Sequence, residues 1–173
     1  MEDPGTRTVD GAVKARPSGQ VVAAVVVALA LLALAAQQLL SWRDERQRAA
    51  DASGATTAAA AEVVGLIGIS SATSGNDIDA LLDGATADFR SDLSDQAKRL
   101  REELARNKVS ATGKVVSTGV LKLEDGKATV IVAATGTVSN KLAVKPEPRN
   151  YRLRVDLVET HGRWLVSGLE FVA

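Results

Sequence analysis

Tyr151-Arg152-Leu153-Arg154-Val155-Asp156-Leu157 alternates apolar and charged side chains with a period of two. Neighbouring side chains on a strand point to opposite faces. The stretch therefore predicts a strand with Tyr151, Leu153, Val155 and Leu157 inward and Arg152, Arg154 and Asp156 in water, one half of a sheet that is buried on one side only. Working outward, His161-Gly162 predicts a two-residue turn and Trp164–Val172 the next strand. Trp164 and Val166 share one parity, Leu169 and Phe171 the other, so a bulge near Ser167-Gly168 is needed to bring both pairs to the same face. Upstream, Lys141–Pro148 reads as a loop stopped by Pro146 and Pro148. Before it, Val115–Glu124 and Ala128–Val138 flank Asp125-Gly126, a type I′ hairpin signal. Four strands joined by short turns predict an antiparallel meander.

Upstream of the strands the period becomes helical. A helix is expected over about Ala87–Arg106, with Phe89, Leu93, Ala97, Leu100 and Leu104 as its apolar stripe. Thr86 is its N-cap. Asp88, Asp92 and Asp95 near its start and Arg99, Arg101 and Arg106 near its end complement the helix dipole, and Glu102 with Arg106 is an i, i+4 pair. A shorter helix is expected over Asn76–Leu82, capped by Asn76 and ended by a left-handed Gly84. Ser70–Gly75 reads as a loop. In Arg43–Ile69, Ala52, Ala55, Ala59, Val63 and Leu66 recur at helical spacing. Gly54, Gly65 and Gly68 weaken that helix by about 1 kcal/mol each, and Gly54 is the place for a bend. An alanine face packs closely but covers little area, so this segment is expected to be a stalk. One amphipathic helix and one half-wet sheet must cover each other, which makes the soluble part an α+β domain.

At the other end of the chain, Pro17–Trp42 is 26 residues without a charge, and Val21–Ala36 is an unbroken apolar run of sixteen. As a helix the longer stretch measures about 39 Å, more than a hydrocarbon core of roughly 30 Å. The run reads as a single membrane span, with Val21, Val25, Leu29, Leu32, Ala36 and Trp42 as anchor residues and Trp42 suited to the bilayer interface. A cleaved signal peptide is the competing reading, because Ala33-Leu34-Ala35 has the A-x-A form; a buried soluble helix is a third. Basic residues near the span tie, with Arg7, Lys14 and Arg16 before it against Arg43, Arg46 and Arg48 after it, so the positive-inside rule does not choose an orientation. The N-terminus inside and the C-terminal domain outside the cytoplasmic membrane is the orientation adopted. The expected organisation is a disordered tail over 1–19, a transmembrane helix over 20–42, an Ala-rich helical stalk and loop over 43–75, and the α+β domain over 76–173.

Composition excludes several chemistries. The 173 residues carry 21 basic and 21 acidic side chains, without the basic excess of a nucleic-acid binder. With no cysteine, disulfides, thiolate nucleophiles and zinc–thiolate sites are excluded. His161 is the only histidine and falls in a predicted turn, without the oriented partner that a general base needs. Asp77, Asp79, Asp83, Asp88, Asp92 and Asp95 lack the ligand pattern of a calcium loop and suit helix starts and solvated faces. Arg149, Arg152 and Arg154 surround one strand and are candidates for contact with anionic headgroups or an acidic partner; a solvated sheet face is the plainer reading. No phosphate-binding glycine loop or nucleophile elbow is present. Catalytic residues, cofactor and metal are therefore all expected to be none.

Helices followed by a curved antiparallel sheet whose last strand carries Gly162-Arg163-Trp164-Leu165-Val166 resemble the NTF2-like or cystatin-like superfamily. With the span Val21–Ala36 and the stretch Asp79-Ala80-Leu81-Leu82-Asp83-Gly84-Ala85-Thr86-Ala87-Asp88-Phe89 added, the chain resembles the actinobacterial Mce-associated membrane proteins over roughly residues 20 to 173. The resemblance implies an accessory role, assisting assembly or stability of an Mce-type lipid import complex whose subunits would be its partners, with lipid touched through the anchor. It supplies no catalytic residues. VirB8-like components of type IV secretion share the anchor-plus-domain plan and give the alternative of a secretion scaffold. A further alternative, an NTF2-like binder or enzyme for a small apolar ligand, requires a carboxylate and Tyr151 to meet in one closed pocket.

Overall fold

The computed structural model describes residues 19–172. The expected tail therefore lies outside the described residues, apart from Gly19 at the start of the first helix. Three helices precede four strands: α1 (Gly19–Ile67), α2 (Ser74–Asp83), α3 (Ala87–Asn107), β1 (Ser110–Glu124), β2 (Lys127–Ser139), β3 (Glu147–Thr160) and β4 (Arg163–Phe171). Contacts divide the chain into two units, one ending at Glu45 and the other beginning at Arg46. In the first, the described chain is α1 alone, and its apolar window is wholly uncovered.

The strands form one antiparallel meander in the order β1-β2-β3-β4. Asp125 (φ 49°) and Gly126 (φ 69°) make the first tight turn, and His161 (φ 51°) and Gly162 (φ 75°) the last. Positive φ at both central positions is the type I′ geometry whose twist matches that of the strands. In β3–β4, Asp156 pairs with Gly168 and Leu157 with Val166, leaving Ser167 as the extra residue of a bulge. Two strands start four or five residues earlier than expected, and the other two one residue earlier. β1 begins at Ser110, where small residues such as Ala111 and Gly113 pair with Val138 and Gly136 and carry no apolar alternation. β3 begins at Glu147, and Pro148, opposite Thr137, is tolerated at the strand's second residue.

One face of the sheet is apolar and dry. Val130 and Val132 of β2, Leu153, Val155 and Leu157 of β3 and Val166 of β4 are buried against Ala55, Ala59, Val63 and Ile67 of α1. These four α1 residues are spaced by four, so they form one face of the helix. The segment from Arg46 to Ile67 is thus a core element rather than a stalk, and the expected domain boundary at residue 76 moves back to Arg46. The alanines cover little area themselves, but they let the helix axis approach a sheet whose own side chains are large. No bend occurs at Gly54: the helix runs through it, and the Trp164 indole occupies the space where a side chain would stand, with Cδ1 2.8 Å from a Cβ placed there.

α2 and α3 form a second cluster around Ile69, Ile78, Ala97 and Leu104. α2 starts at Ser74 with Thr73 at its N-cap, two residues before the expected start, and Asn76 lies inside the first turn. Thr73 receives the Asp77 backbone N–H at 3.0 Å and donates its hydroxyl to the Asp77 carboxylate, which sets the earlier start. Gly84 is right-handed (φ −81°), not left-handed. Its carbonyl accepts the Val166 N–H at 2.8 Å while the Thr86 N–H donates to the Val166 carbonyl at 2.8 Å, so the α2–α3 connection bridges the outer edge of β4. That bridge, rather than a side-chain cap, holds Thr86 extended before α3. At the other end of α3 the ion pair is Glu103 with Arg106 (3.3 Å), one residue off the expected Glu102–Arg106 pair.

Candidate interaction surfaces

Three surfaces and one half-buried carboxylate hold the chemistry of this chain. The first surface is the uncharged part of α1. Leu29, Leu32, Ala36 and Trp42 are exposed, the large ones at 61%, 66% and 61%; the side chains of Val21 and Val25 lie outside the described residues. The helix is long and apolar enough to cross a membrane. Large aliphatic side chains uncovered all round a helix are what a bilayer, not water, would solvate.

The second is the outer face of the sheet, where Arg152 and Arg154 lie; Arg149 has the parity of Tyr151 and Leu153 and projects to the opposite side of β3. Arg149 pairs with Glu147 at 2.7 Å. Arg154 sits between Asp156 (3.5 Å) and Glu170 (3.3 Å), and Asp156 also accepts the Thr129 hydroxyl at 2.6 Å. Arg152 is exposed on the same face as Arg154, opposite Ala133. The trio is not one cationic patch, since Arg149 and Arg154 have carboxylates beside them. The alternation of β3 placed Arg152 and Arg154 on one face; Asp156 is two residues from Arg154 on the same strand, whereas Glu170 reaches it from β4, which a local pattern does not reveal.

The third is a groove between α2 and α3. Ile78, Leu81 and Leu82 on one side and Leu93, Ala97 and Leu100 on the other enclose about 340 Å³, with Gln96, Arg99 and Glu103 at its mouth. That volume is at the low end of the range for small-molecule pockets, roughly 300–1,000 Å³. The stripe expected on α3 is therefore only half core: Ala97 and Leu104 are buried, while Leu93 and Leu100 line this open groove and Leu100 is 39% exposed. Helical spacing identifies an apolar face, and only the third dimension shows whether something covers it.

Glu62, on α1, escaped the sequence reading. It is half-buried, and burial pushes its carboxyl up from 4.5 to about 7. A side chain at Gly84 would overlap the Glu62 carboxylate, so glycine is what leaves room for it beside the β4 bridge. A glutamate directly before the aliphatic pair Val63-Val64 in an alanine helix carries no local signal of this. The other acidic residues are held differently: Asp79 pairs with Arg101 at 2.7 Å and Asp83 with Arg90 at 3.7 Å. Among the described residues no group of three or more His, Asp or Glu side chains is placed to hold a metal ion. His161 is exposed in its turn. Tyr151 packs against Phe171, ring centres 6.3 Å apart, and lines a shallow depression with Val116, Asn150 and Arg152, none of them a carboxylate.

Several solved structures share this fold. An IcmL-like type IV secretion system protein from Legionella pneumophila superposes with a TM-score of 0.54 at 10% identity, over 68% of this chain and 88% of that one. CagV, a VirB8 homolog of the type IV secretion system of Helicobacter pylori, gives 0.53 at 15% identity, over 68% and 95%. The periplasmic domain of DotI gives 0.54 at 11% identity, over 68% and 91%. These likenesses show that the chain shares the fold of those three domains. By sequence, the chain is 29% identical over 150 residues to the uncharacterized protein Rv1363c of Mycobacterium tuberculosis (strain ATCC 25618 / H37Rv), covering 87% of this chain and 58% of that protein. The chain thus spans a little over half the length of that relative. A family model described as uncharacterized protein Rv1363c/MT1408-like matches residues 18–173, nearly the whole chain, and the protein belongs to that family.

Proposed function

We propose that the protein is a membrane-anchored, non-catalytic interaction module that assists the assembly or stability of an Mce-type lipid import complex. In this reading the uncharged part of α1 lies in the cytoplasmic membrane and the α+β domain works outside it. The observation that carries the proposal is the pairing of an uncovered apolar helix with a domain whose sheet face is filled by its own helix. Val130, Val132, Leu153 and Val155 meet Ala55, Ala59 and Val63 with full burial, so the concave side of the sheet is occupied by core. The step from anchored module to lipid import rests on the resemblance to Mce-associated proteins. A secretion scaffold is the second reading, favoured by the likeness to VirB8-type domains.

Mild crosslinking in native membranes, followed by purification of the full chain and identification of its partners, tests the proposal. Subunits of a lipid importer are the expected recovery. Secretion ATPases and channel subunits in their place would transfer the protein to the second reading, and recovery of neither would overturn both. Proteolysis of intact cells tests the orientation: the domain should be cut, and its survival beside a digested outer control would reverse the topology.

A further inference from the structure

Positive charge without a carboxylate partner gathers at the end of the sheet where β2 leads into β3. Lys141 and Lys145 bracket the connecting loop. The Lys141 N–H donates to the Asn107 carbonyl at 3.0 Å, which brings Lys108, the next residue after Asn107, beside the loop. Lys114 follows on β1, opposite Thr135. None of these lysines forms an ion pair among the described residues. The nearby carboxylates are both taken, Glu103 by Arg106 at 3.3 Å and Glu147 by Arg149 at 2.7 Å. At the other end of the same strands Lys122, Lys127 and Arg163 are matched in number by Glu124, Asp125 and Glu159, and Lys122 pairs with Glu124 at 3.0 Å.

The same end presents aliphatic side chains to water. Leu142 is 98% exposed and Val144 78%. The Asn140 side-chain carbonyl accepts the N–H groups of Leu142 (2.8 Å) and Ala143 (2.9 Å), and the Asn140 N–H donates to the Ala143 carbonyl (2.9 Å). This Asx turn fixes the backbone, so Leu142 protrudes from a built turn with a lysine directly before it. We propose that the tip is a lipid-contacting site. Leu142 and Val144 enter the interfacial layer of a bilayer that carries anionic headgroups, and Lys108, Lys141 and Lys145 meet the phosphates.

Two features favour a lipid surface over an acidic protein. Protein interfaces are depleted in lysine and enriched in arginine and aromatic residues, whereas the cations without a carboxylate here are all lysine and the loop has no aromatic side chain. A protruding leucine also needs a matching cavity on a protein, while fluid acyl chains close around any shape. The long lysine stem lets its ammonium stay among the phosphates as the neighbouring leucine goes deeper. Each lysine near an anionic surface is worth about fivefold in affinity. The contact is separate from the proposed span, and it holds whichever complex the protein joins.

The chain has no cysteine, so one introduced thiol can carry an environment-sensitive fluorophore. Full-length Ala143→Cys labelled with nitrobenzoxadiazole is reconstituted in phosphatidylcholine vesicles and titrated with added vesicles that contain phosphatidylglycerol. The emission should shift to the blue, spin-labelled lipid in the added vesicles should quench it, and raised salt should weaken the response. Added vesicles of phosphatidylcholine alone should leave it unchanged. The same label on Ser94→Cys, exposed between Asp92 and Asp95 on α3, should not respond. Leu142→Asp with Val144→Asp should abolish the shift, and Lys141→Gln and Lys145→Gln should each raise the lipid concentration required about fivefold. Circular dichroism checks that these exposed-site variants stay folded. No shift with phosphatidylglycerol would overturn the proposal and leave the tip to a protein partner. An equal response at Ser94→Cys, or one indifferent to Leu142→Asp with Val144→Asp, would also overturn it, reducing the effect to non-specific adsorption.

Discussion

The two stretches of α1 on either side of Glu45 are both apolar, yet they are built from different residues for different surroundings. Before Trp42 the large side chains stand uncovered, with Leu29, Leu32 and Trp42 all more than half exposed. Beyond Arg46 the decisive residues are small, and Ala55 and Ala59 are wholly buried. A bilayer has no shape of its own, so a span needs length and bulk but no particular partner for any one side chain. A sheet has a fixed relief, and Val130, Leu153 and Val155 already fill it, so the helix that covers it must yield volume at each crossing. Apolar character alone does not distinguish the two cases; side-chain size along one face does.

The largest expected effect breaks the first stretch and leaves the second alone. Leu29→Lys with Leu32→Lys places two charges near the middle of the proposed span. At about 3 kcal/mol each, relative to leucine, they remove roughly 6 kcal/mol of insertion free energy. Carbonate extraction should release the variant from membranes that retain the parent, while thermal unfolding of the domain stays unchanged. A domain that unfolds with the double lysine would show that the two stretches are not independent. Next in size is the converse change. Ala59→Leu adds three heavy atoms where none fit, and overpacking of this kind costs about 1–3 kcal/mol. The melting temperature should fall by several degrees with membrane retention intact. If Ala59→Leu is neutral, the helix does not lie as close to the sheet as the burial of Ala59 requires.

The same contrast separates what was legible in the sequence from what was not. Turns and strand faces are written locally. Asp125-Gly126, His161-Gly162, the alternation through Leu153 and the parity change at Ser167 each depend on a few adjacent residues, and each stands where expected. The α3 limits follow in the same way from its stripe and terminal charges. The role of Arg46–Ile67 was not legible, because an alanine face is equally consistent with a bare stalk and with a tightly packed helix. Only the buried sheet residues from Val130 onward, more than sixty residues after Ile67, decide between them. Ion pairs have the same limit. Arg154 was placed on the right face, but Glu170 reaches it from another strand. The groove shares a stripe with buried residues, so Leu100 and Leu104 look identical in sequence and differ in the fold.

Glu62 gives the smallest and most selective probe of the packed stretch. Its carboxyl has a pKa near 4.5 in an unfolded chain and about 7 in the fold, because burial disfavours the charge. Below 4.5 it is neutral in both states and burial exacts no electrostatic penalty. Between 4.5 and 7 the folded state holds a proton that the unfolded state has lost, so stability falls as pH rises. Above 7 both states are ionised and the penalty is complete. Glu62→Gln removes the titration and keeps the shape. Solvent reaches part of this side chain, so the gain at pH 8 should be about 1 kcal/mol, well short of the full shift. The variant and the parent should be equally stable near pH 4. Denaturant melts of both proteins at pH 4, 6 and 8 measure the difference directly, with all other titrating groups cancelling between them. A constant offset at every pH would mean that Glu62 acts through packing beside Gly84 alone. A difference that opens between pH 4 and 8 would place the carboxylate where the contact with Gly84 puts it, inside the folded unit and not on the surface of a stalk.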